Sequence, residues 1–506
     1  MPGNDLIGYH RRTKHTVESV RRGGHVLDWA NEPSRFKEYV GLEPVPLPRP
    51  ERSGVPCHRA VRSSWRCGGR NDVDRGALSH LLFHAAGVVR EVRGPGGSFH
   101  FRTYAAAGAL YPVEVYVVAG AVTGVEAGVY HYGPREHGIR PLRTGDFRGS
   151  LGLAGERPGQ ATVVLTGVPW RTSWKYEARG FRHLYWDAGM ILANLLTSAA
   201  ALRVRAKVIM GFVDRAVDGV VGIDGRSEFT LAMVALGSDE APPAAEVSPL
   251  DLQVAPMSVR PQRDPIIERA RAAVALGSED EVAGFRDAKA SGQLEERRPV
   301  EVPVDEAGLS DDSLEEVVRR RGSSRRLARQ PFPAGEYAFL LDQALGGLPR
   351  DWSPSQSEAR LTANALDGLE PGAYRYAGNG RFDRVRAGDL RRHAGFLCLE
   401  QRLGADAAAT TFLMADVEEA VRRLGGRGYA AAQLEAAVAA GRLYLGAYAQ
   451  CLGASGITFY DDEVRRSLDT SWEPMLAVVM GPEGRRASIR RCREERYPEV
   501  ARTADV

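Results

Sequence analysis

The sequence predicts an α+β fold built twice in tandem, and three observations carry that expectation. Motifs recur in the same order at an offset of about 250 residues within a chain of 506. Arg62-Ser63-Ser64-Trp65-Arg66 returns as Arg321-Gly322-Ser323-Ser324-Arg325, the pattern Arg-x-Ser-x-Arg each time. Gly128-Val129-Tyr130-His131-Tyr132 returns as Gly372-Ala373-Tyr374-Arg375-Tyr376, residues 180–204 as 428–452, and the apolar run 229–236 as 474–480. Second, each copy mixes strand and helix periodicities. Third, a stretch rich in Pro and Ala, residues 241–265, separates the copies as a linker would. The length itself calls for two or three domains.

Residues 1–55 precede the first copy as a leader that ends in the extended Pro44-Val45-Pro46-Leu47-Pro48 and has no counterpart. The first copy, 56–240, opens its strands with Val113-Glu114-Val115-Tyr116-Val117, whose alternation reads as a strand facing a core on one side. Residues 161–168 and 229–236 are apolar runs of strand length. Between them, 187–202 set Met190, Ile191, Asn194, Leu195 and Ser198 at helical spacing. The linker, 241–309, continues as a helix over 266–294 until Pro299 and Pro303 break the chain. In the second copy, 310–506, Ser310 or Asp312 caps the helix that carries the second Arg-x-Ser-x-Arg. Its long helix, 430–452, repeats the first with Leu434, Val438, Leu443 and Leu445.

Composition narrows the function class. Net charge is +3, from 67 basic and 64 acidic residues, which speaks against a nucleic-acid partner. Five widely spread cysteines, Cys57, Cys67, Cys398, Cys451 and Cys492, have neither disulfide pairing nor metal-ligand spacing. No apolar run reaches membrane-spanning length and the N-terminus has no signal-peptide core, so a cytoplasmic protein is expected. His80 and His84 stand at i, i+4, but no Glu follows the first, so the zinc-protease pattern is absent.

Lys175 is one of five lysines against 62 arginines, and it directly precedes Tyr176. Arg cannot release its proton in a protein, whereas Lys can serve as a base and Tyr can donate or relay a proton. Two arginines bracketing a serine suit a terminal phosphate, and they also suit a basic helix end that satisfies surface carboxylates. Tyr104-Ala105-Ala106-Ala107-Gly108-Ala109-Leu110-Tyr111-Pro112 is a small-residue loop that lets backbone approach a flat ligand, or else a tight entry into the strand.

Taken together, Arg-x-Ser-x-Arg, Gly-Ala-Leu-Tyr-Pro, Gly-x-Tyr-x-Tyr and Asp187-Ala188-Gly189 on a long helix resemble the flavin-dependent nitroreductase superfamily. Within it, the chain is similar to the peptide-modifying dehydrogenases that oxidise azolines. That branch has Pro-Ser-Ala-Gly-Ala-Leu-Tyr-Pro where Ala105 to Pro112 stand here, so Ala106 removes one hydroxyl from the flavin loop. Its Lys-Tyr pair, set before Arg-Gly-Tyr-Arg, matches Lys175-Tyr176 and Arg179-Gly180-Phe181-Arg182. Tyr9-His10, Thr13-Lys14, Phe36-Lys37-Glu38-Tyr39 and Pro46-Leu47-Pro48 extend the likeness into the leader.

The resemblance implies FMN and the oxidation of thiazolines or oxazolines to thiazoles or oxazoles. The substrate would be a modified, ribosomally made precursor peptide, and the partner a cyclodehydratase complex. Lys175 and Tyr176 would be the catalytic pair. The two copies would pack as an internal pseudo-dimer, with Arg321, Ser323 and Arg325 holding the phosphate of a flavin that faces Ala106, Ala107 and Gly108. The reciprocal site would set Arg62, Ser64 and Arg66 against Pro354-Ser355-Gln356-Ser357. There the Lys-Tyr positions read Arg423-Leu424, so that site is expected to be empty or structural. Two alternatives stand beside this reading: a flavin-dependent reductase or dehydrogenase of a small metabolite, and a non-catalytic docking subunit of a peptide-modifying complex.

Overall fold

Short apolar runs and hairpin turns build two seven-stranded sheets in the computed structural model, which describes residues 2–66, 68–94, 97–288, 299–304, 306, 309–353 and 357–484. The first sheet contains β1 (Val45–Pro46), β2 (Val113–Ala119), β3 (Gly128–Gly133), β4 (Gly138–Thr144), β5 (Ala161–Gly167), β6 (Ala206–Ile209) and β7 (Phe229–Leu236). The second contains β8 (Pro299–Glu301), β9 (Ser357–Ala363), β10 (Gly372–Gly378), β11 (Arg381–Ala387), β12 (Ala409–Ala415), β13 (Gly453–Ile457) and β14 (Glu473–Gly481). The orders are β1-β4-β3-β2-β5-β7-β6 and β8-β11-β10-β9-β12-β14-β13, the same topology twice. All these pairings are antiparallel. The chain therefore has an α+β fold with two like domains.

Two long helices lie between the sheets: α1 (Gly180–Ala201) and α2 (Val417–Ala449), the latter kinked at Gly425, where φ is +63°. They cross through small residues. A Cβ on Gly189 would collide with Ala437, and one on Gly441 would come within 2.5 Å of the Ala193 methyl. In the register that sets Gly180 against Gly428, Gly189 matches Ala437 and Ala193 matches Gly441. Each contact thus joins a residue to its own counterpart, as contacts lying on a two-fold axis do. Charge repeats the pattern: Arg179 pairs with Asp461 at 3.0 Å, and its counterpart Arg427 pairs with Asp214. One apolar core runs through both helices and the inner faces of both sheets. A smaller core lies beyond each sheet, around Phe212 and Val217 in one half and Phe412 and Val464 in the other.

Several local expectations give way to tertiary context. The alternation in β2 suggested one wet face, yet the whole strand is buried. Glu114 is covered because Arg171 neutralises it and His131 hydrogen-bonds to it, and Tyr116 because its hydroxyl donates to Glu228. The single helix over 266–294 is two helices, Pro265–Val274 and Glu279–Asp287, with residues 289–298 outside the described region. The helix Leu314–Arg320 is capped by Ser313 rather than Ser310 or Asp312, because Ser313 and Glu316 form a reciprocal capping box. The second Arg-x-Ser-x-Arg begins where that helix ends. Part of the leader does have a counterpart. Val45–Pro46 pairs with β4 as an edge strand, just as Pro299–Glu301 from the linker pairs with β11.

Candidate functional site

Lys175 and Tyr176 end the helix Pro169–Tyr176, whose first residue is a proline already set for helical φ. Arg171 anchors this helix from a fully buried position. Its Nη1 lies 2.6 Å from Glu114 on β2 and donates to the Tyr111 carbonyl at 3.0 Å, while Nε donates to the Ser34 carbonyl at 2.7 Å. The Thr172 hydroxyl donates to the Gly180 carbonyl at 3.0 Å and ties the helix to α1. The Lys-Tyr pair is therefore fixed from both ends.

The small-residue loop meets that pair directly. Gly108 has φ +61°, and a Cβ there would lie 2.7 Å from the Tyr176 hydroxyl and 3.2 Å from Lys175 Nζ. Ala109 and Tyr111 also take left-handed backbone, at φ 53° and 49°. Such a conformation costs roughly 1–2 kcal/mol per non-glycine residue, so surrounding contacts must hold it. Asp187 of α1 supplies one: its Oδ1 accepts the Ala107 N–H at 3.0 Å. Ala106 and Ala107 are half-buried and Gly108 exposed, leaving bare backbone on the outer side of the loop.

Electrostatics distinguish the two members of the pair. Lys14, Lys37 and Lys207 each hold carboxylates. Among the described lysines, only Lys175 has no carboxylate partner; its ammonium lies 5.5 Å from the Tyr176 ring centre. Burial raises the Tyr176 hydroxyl above its ordinary range, and the nearby Asp187 raises it further. Burial also holds Asp187 well above the usual carboxylate range, against the Ala107 N–H and Arg102, and its Oδ2 has no hydrogen-bond partner. Behind Tyr176 the His183 ring packs edge-on at 4.2 Å, and both its nitrogens lack partners. Burial, then Arg179, holds that imidazole well below its ordinary range.

Of the phosphate candidates, the second-half set reaches toward this loop. Arg321 donates from Nε to the Thr103 carbonyl and from Nη2 to the Arg102 carbonyl, each at 3.0 Å, just before the loop begins. Ser323 and Arg325 are exposed, and the Ser323 Oγ lies 3.4 Å from the Tyr444 hydroxyl. The first-half set is arranged differently. Arg62 is exposed and pairs with Glu306, Arg66 is exposed, and Ser64 is buried, donating to the Val61 carbonyl and accepting from Arg442. Pro354, Ser355 and Gln356 of the facing loop lie outside the described residues; Ser357 begins β9.

Asp187, Arg171, His183 and Trp186 were not singled out as site residues from sequence. The repeat register holds a signal for three of them, since Lys175, Tyr176, His183, Trp186 and Asp187 stand against Arg423, Leu424, Ala431, Leu434 and Glu435. The metal reading finds nothing: among the described residues no group of three or more His, Cys, Asp or Glu could hold an ion.

A model of the nitroreductase family matches residues 60–238. The candidate nitroreductase MJ1384 of Methanocaldococcus jannaschii is 32% identical over 165 residues, covering 32% of this chain and 78% of that protein. The chain belongs to the nitroreductase family. Two further family relatives are named for processing. Trifolitoxin-processing TfxB of Rhizobium leguminosarum bv. trifolii is 27% identical over 30% of this chain, and microcin B17-processing McbC of Escherichia coli 28% over 25%. The chain spans only 44% and 50% of the lengths of these two. A solved nitroreductase-family structure from Anabaena variabilis covers 95% of this chain and 99% of its own, at 26% identity and a TM-score of 0.74. That family member therefore matches the tandem as a whole.

Proposed function

We propose that this chain is an FMN-dependent dehydrogenase that aromatises thiazoline or oxazoline rings in a ribosomally made peptide. The observation that carries the reading is the contact of Gly108 with Lys175 and Tyr176, in which the one described lysine without a carboxylate faces an exposed stretch of small-residue backbone. The residues present fit a flat cofactor. A Cβ at 108 would collide with the Tyr176 hydroxyl, so glycine there lets the loop backbone lie against the pair, Asp187 leaves one buried oxygen without a partner, and Ser323 and Arg325 are exposed beside Arg321. Bound FMN would supply the hydride acceptor, which no side chain can be.

The chain's own residues do the rest. Aromatisation removes a proton from one ring carbon and a hydride from its neighbour, and Lys175 Nζ takes the proton with the Tyr176 hydroxyl beside it. Arg171 and Asp187 hold helix and loop in register so that the ring enters between fixed groups. Arg321, Ser323 and Arg325 would hold the phosphate end, and the two halves would act as a pseudo-dimer with one complete site. The relatives named for trifolitoxin and microcin B17 processing support a modified precursor peptide as substrate; a cyclodehydratase complex would be the partner.

The test is anaerobic reduction of the FMN-loaded protein by an azoline-containing peptide. The flavin absorbance should bleach, and each oxidised ring should lose two hydrogens in the mass spectrum. A flavin that the peptide leaves oxidised, but that a reduced nicotinamide bleaches for nitro-compound turnover, would overturn this function in favour of a reductase.

A further inference from the structure

The second half lacks the Lys-Tyr pair, yet one of its side chains ends a stack that stops at Tyr176. Gln433 of α2 is fully buried, and its Oε1 accepts the Trp186 indole N–H at 2.6 Å across the interface between halves. Trp186 stacks on His183 with ring centres 4.5 Å apart and planes 24° from parallel. His183 in turn meets the Tyr176 ring edge-on at 4.2 Å, and the Tyr176 hydroxyl abuts Gly108. Four side chains from two domains thus form one continuous column beneath the pair.

Two features show that the column is built for position rather than for its own polar contacts. Neither His183 nitrogen has a hydrogen-bond partner although the ring is 1% exposed, so the imidazole is present as a flat surface between two aromatic neighbours. The column also exists on one side only. In the repeat register Tyr176, His183 and Trp186 become Leu424, Ala431 and Leu434, whereas the scaffold pair Arg179–Asp461 returns as Arg427–Asp214. What the second half lacks is the column and the pair together. What remained is the frame.

We propose that Gln433, Trp186 and His183 are positioning residues that let the second half set the place of Tyr176, and through it of Lys175. This deepens the dehydrogenase reading and rests on it for its purpose, but its geometry can be tested without FMN or peptide. The chain has few lysines, and Lys175 Nζ lies over the Tyr176 ring, so acylation by an amine-reactive ester, read by peptide mass spectrometry, reports how firmly Tyr176 covers it.

Gln433→Leu should raise Lys175 labelling by about fivefold, the scale of one lost buried hydrogen bond. Labelling of Lys14, Lys37 and Lys207, which sit in ion pairs elsewhere, should stay unchanged. His183→Ala should act in the same direction, and His183→Phe, which keeps an aromatic surface, should restore the parental rate. Parental labelling of Lys175 in both Gln433→Leu and His183→Ala would overturn the proposal, as would equal labelling in His183→Phe and His183→Ala. If His183→Ala fails to fold, Gln433→Leu decides alone. A base role for Lys175 could fail in turnover while this labelling pattern held, so the two failures are distinguishable.

Discussion

The two sides of the pseudo-two-fold axis keep the same frame and spend it differently. On one side Gly108 meets Lys175 and Tyr176, and Asp187 takes the backbone N–H of Ala107. On the other, Gly346 lies under the Trp65 ring, whose N–H donates to the Gln343 carbonyl. There Glu435, the counterpart of Asp187, accepts the Trp352 indole N–H at 2.8 Å. Arg442, the counterpart of Asn194, donates to the Gly346 and Gly347 carbonyls and to Ser64. Asp187 thus takes a backbone N–H of the small-residue loop, whereas its counterpart Glu435 takes a side-chain N–H from Trp352. A fold built twice in one chain can thus separate two demands that a homodimer must meet with one sequence: the helix crossing and its ion pairs stay reciprocal, while the proposed site would be complete once.

The sharpest break of that comparison is at the pair itself. Lys175→Ala or Tyr176→Phe should slow azoline oxidation by about 10²–10⁴-fold, the usual cost of a lost general base. FMN should stay bound, because neither residue reaches the phosphate arm. Arg423→Ala on the mirror side should leave turnover at the parental level. A Lys175→Ala protein that oxidises the peptide as fast as its parent would end the assignment.

The frame is asymmetric in one respect. Asp461 neutralises two buried guanidinium groups, Arg179 and Arg182, whereas Asp214 faces Arg427, because the counterpart of Arg182 is Ala430. Removing one partner from a buried pair costs about 3–5 kcal/mol, since the other charge is left without compensation. Asp461→Ala should therefore lower the urea-unfolding free energy by more than Asp214→Ala does. Equal losses at the two positions would show that the second arginine contributes nothing.

Flavin retention should divide the arginines by side. Arg325 is exposed, with no ion pair among the described residues, whereas Arg62 is held by Glu306. Arg325→Ala should weaken FMN binding by about tenfold, the scale of a charge-assisted hydrogen bond, and Arg62→Ala should leave it unchanged. Purified protein should carry close to one FMN per chain. Two flavins per chain, both reduced by peptide at comparable rates, would contradict the one-sided site.

Much of this was legible in sequence because it is local or periodic. The strands at 161–167 and 229–236 are apolar runs between turns, and the tandem shows as motifs returning in order. Lys175-Tyr176 stood out because the chain otherwise uses Arg. The helix start at Ser313 is also legible, since Ser313 and Glu316 have capping-box spacing, although Ser310 and Asp312 are capping residue types nearby. The rest depends on partners far apart in the chain. Nothing near Glu114 announces that Arg171 and His131 will bury it, nothing near Arg321 that it will hold the Thr103 carbonyl, and nothing near Trp186 that Gln433 will take its N–H. Composition could not show that Trp65 covers Gly346 either, because that needs Gly346 in space.

The smallest expected effect is on pH, and it isolates one member of the frame. Burial alone would raise the Asp461 carboxyl, but Arg179 and Arg182 outweigh burial and hold it at about 2, below its ordinary 3.8. The folded state thus favours the ionised form, so the stabilisation is complete above about pH 4 and is lost as pH falls through about 2. A shift of that size corresponds to roughly 2 kcal/mol. Asp461→Asn lacks the titrating group, so its deficit relative to the parent should be greatest near neutrality and should shrink by that amount between pH 4 and pH 2. Other carboxylates titrate in the same range in both proteins and cancel in the difference. A deficit that stays constant across this interval would mean that the two arginines do not stabilise the Asp461 anion. The reciprocal ion pairs would then be a geometric echo of the duplication, with no part in holding the halves together.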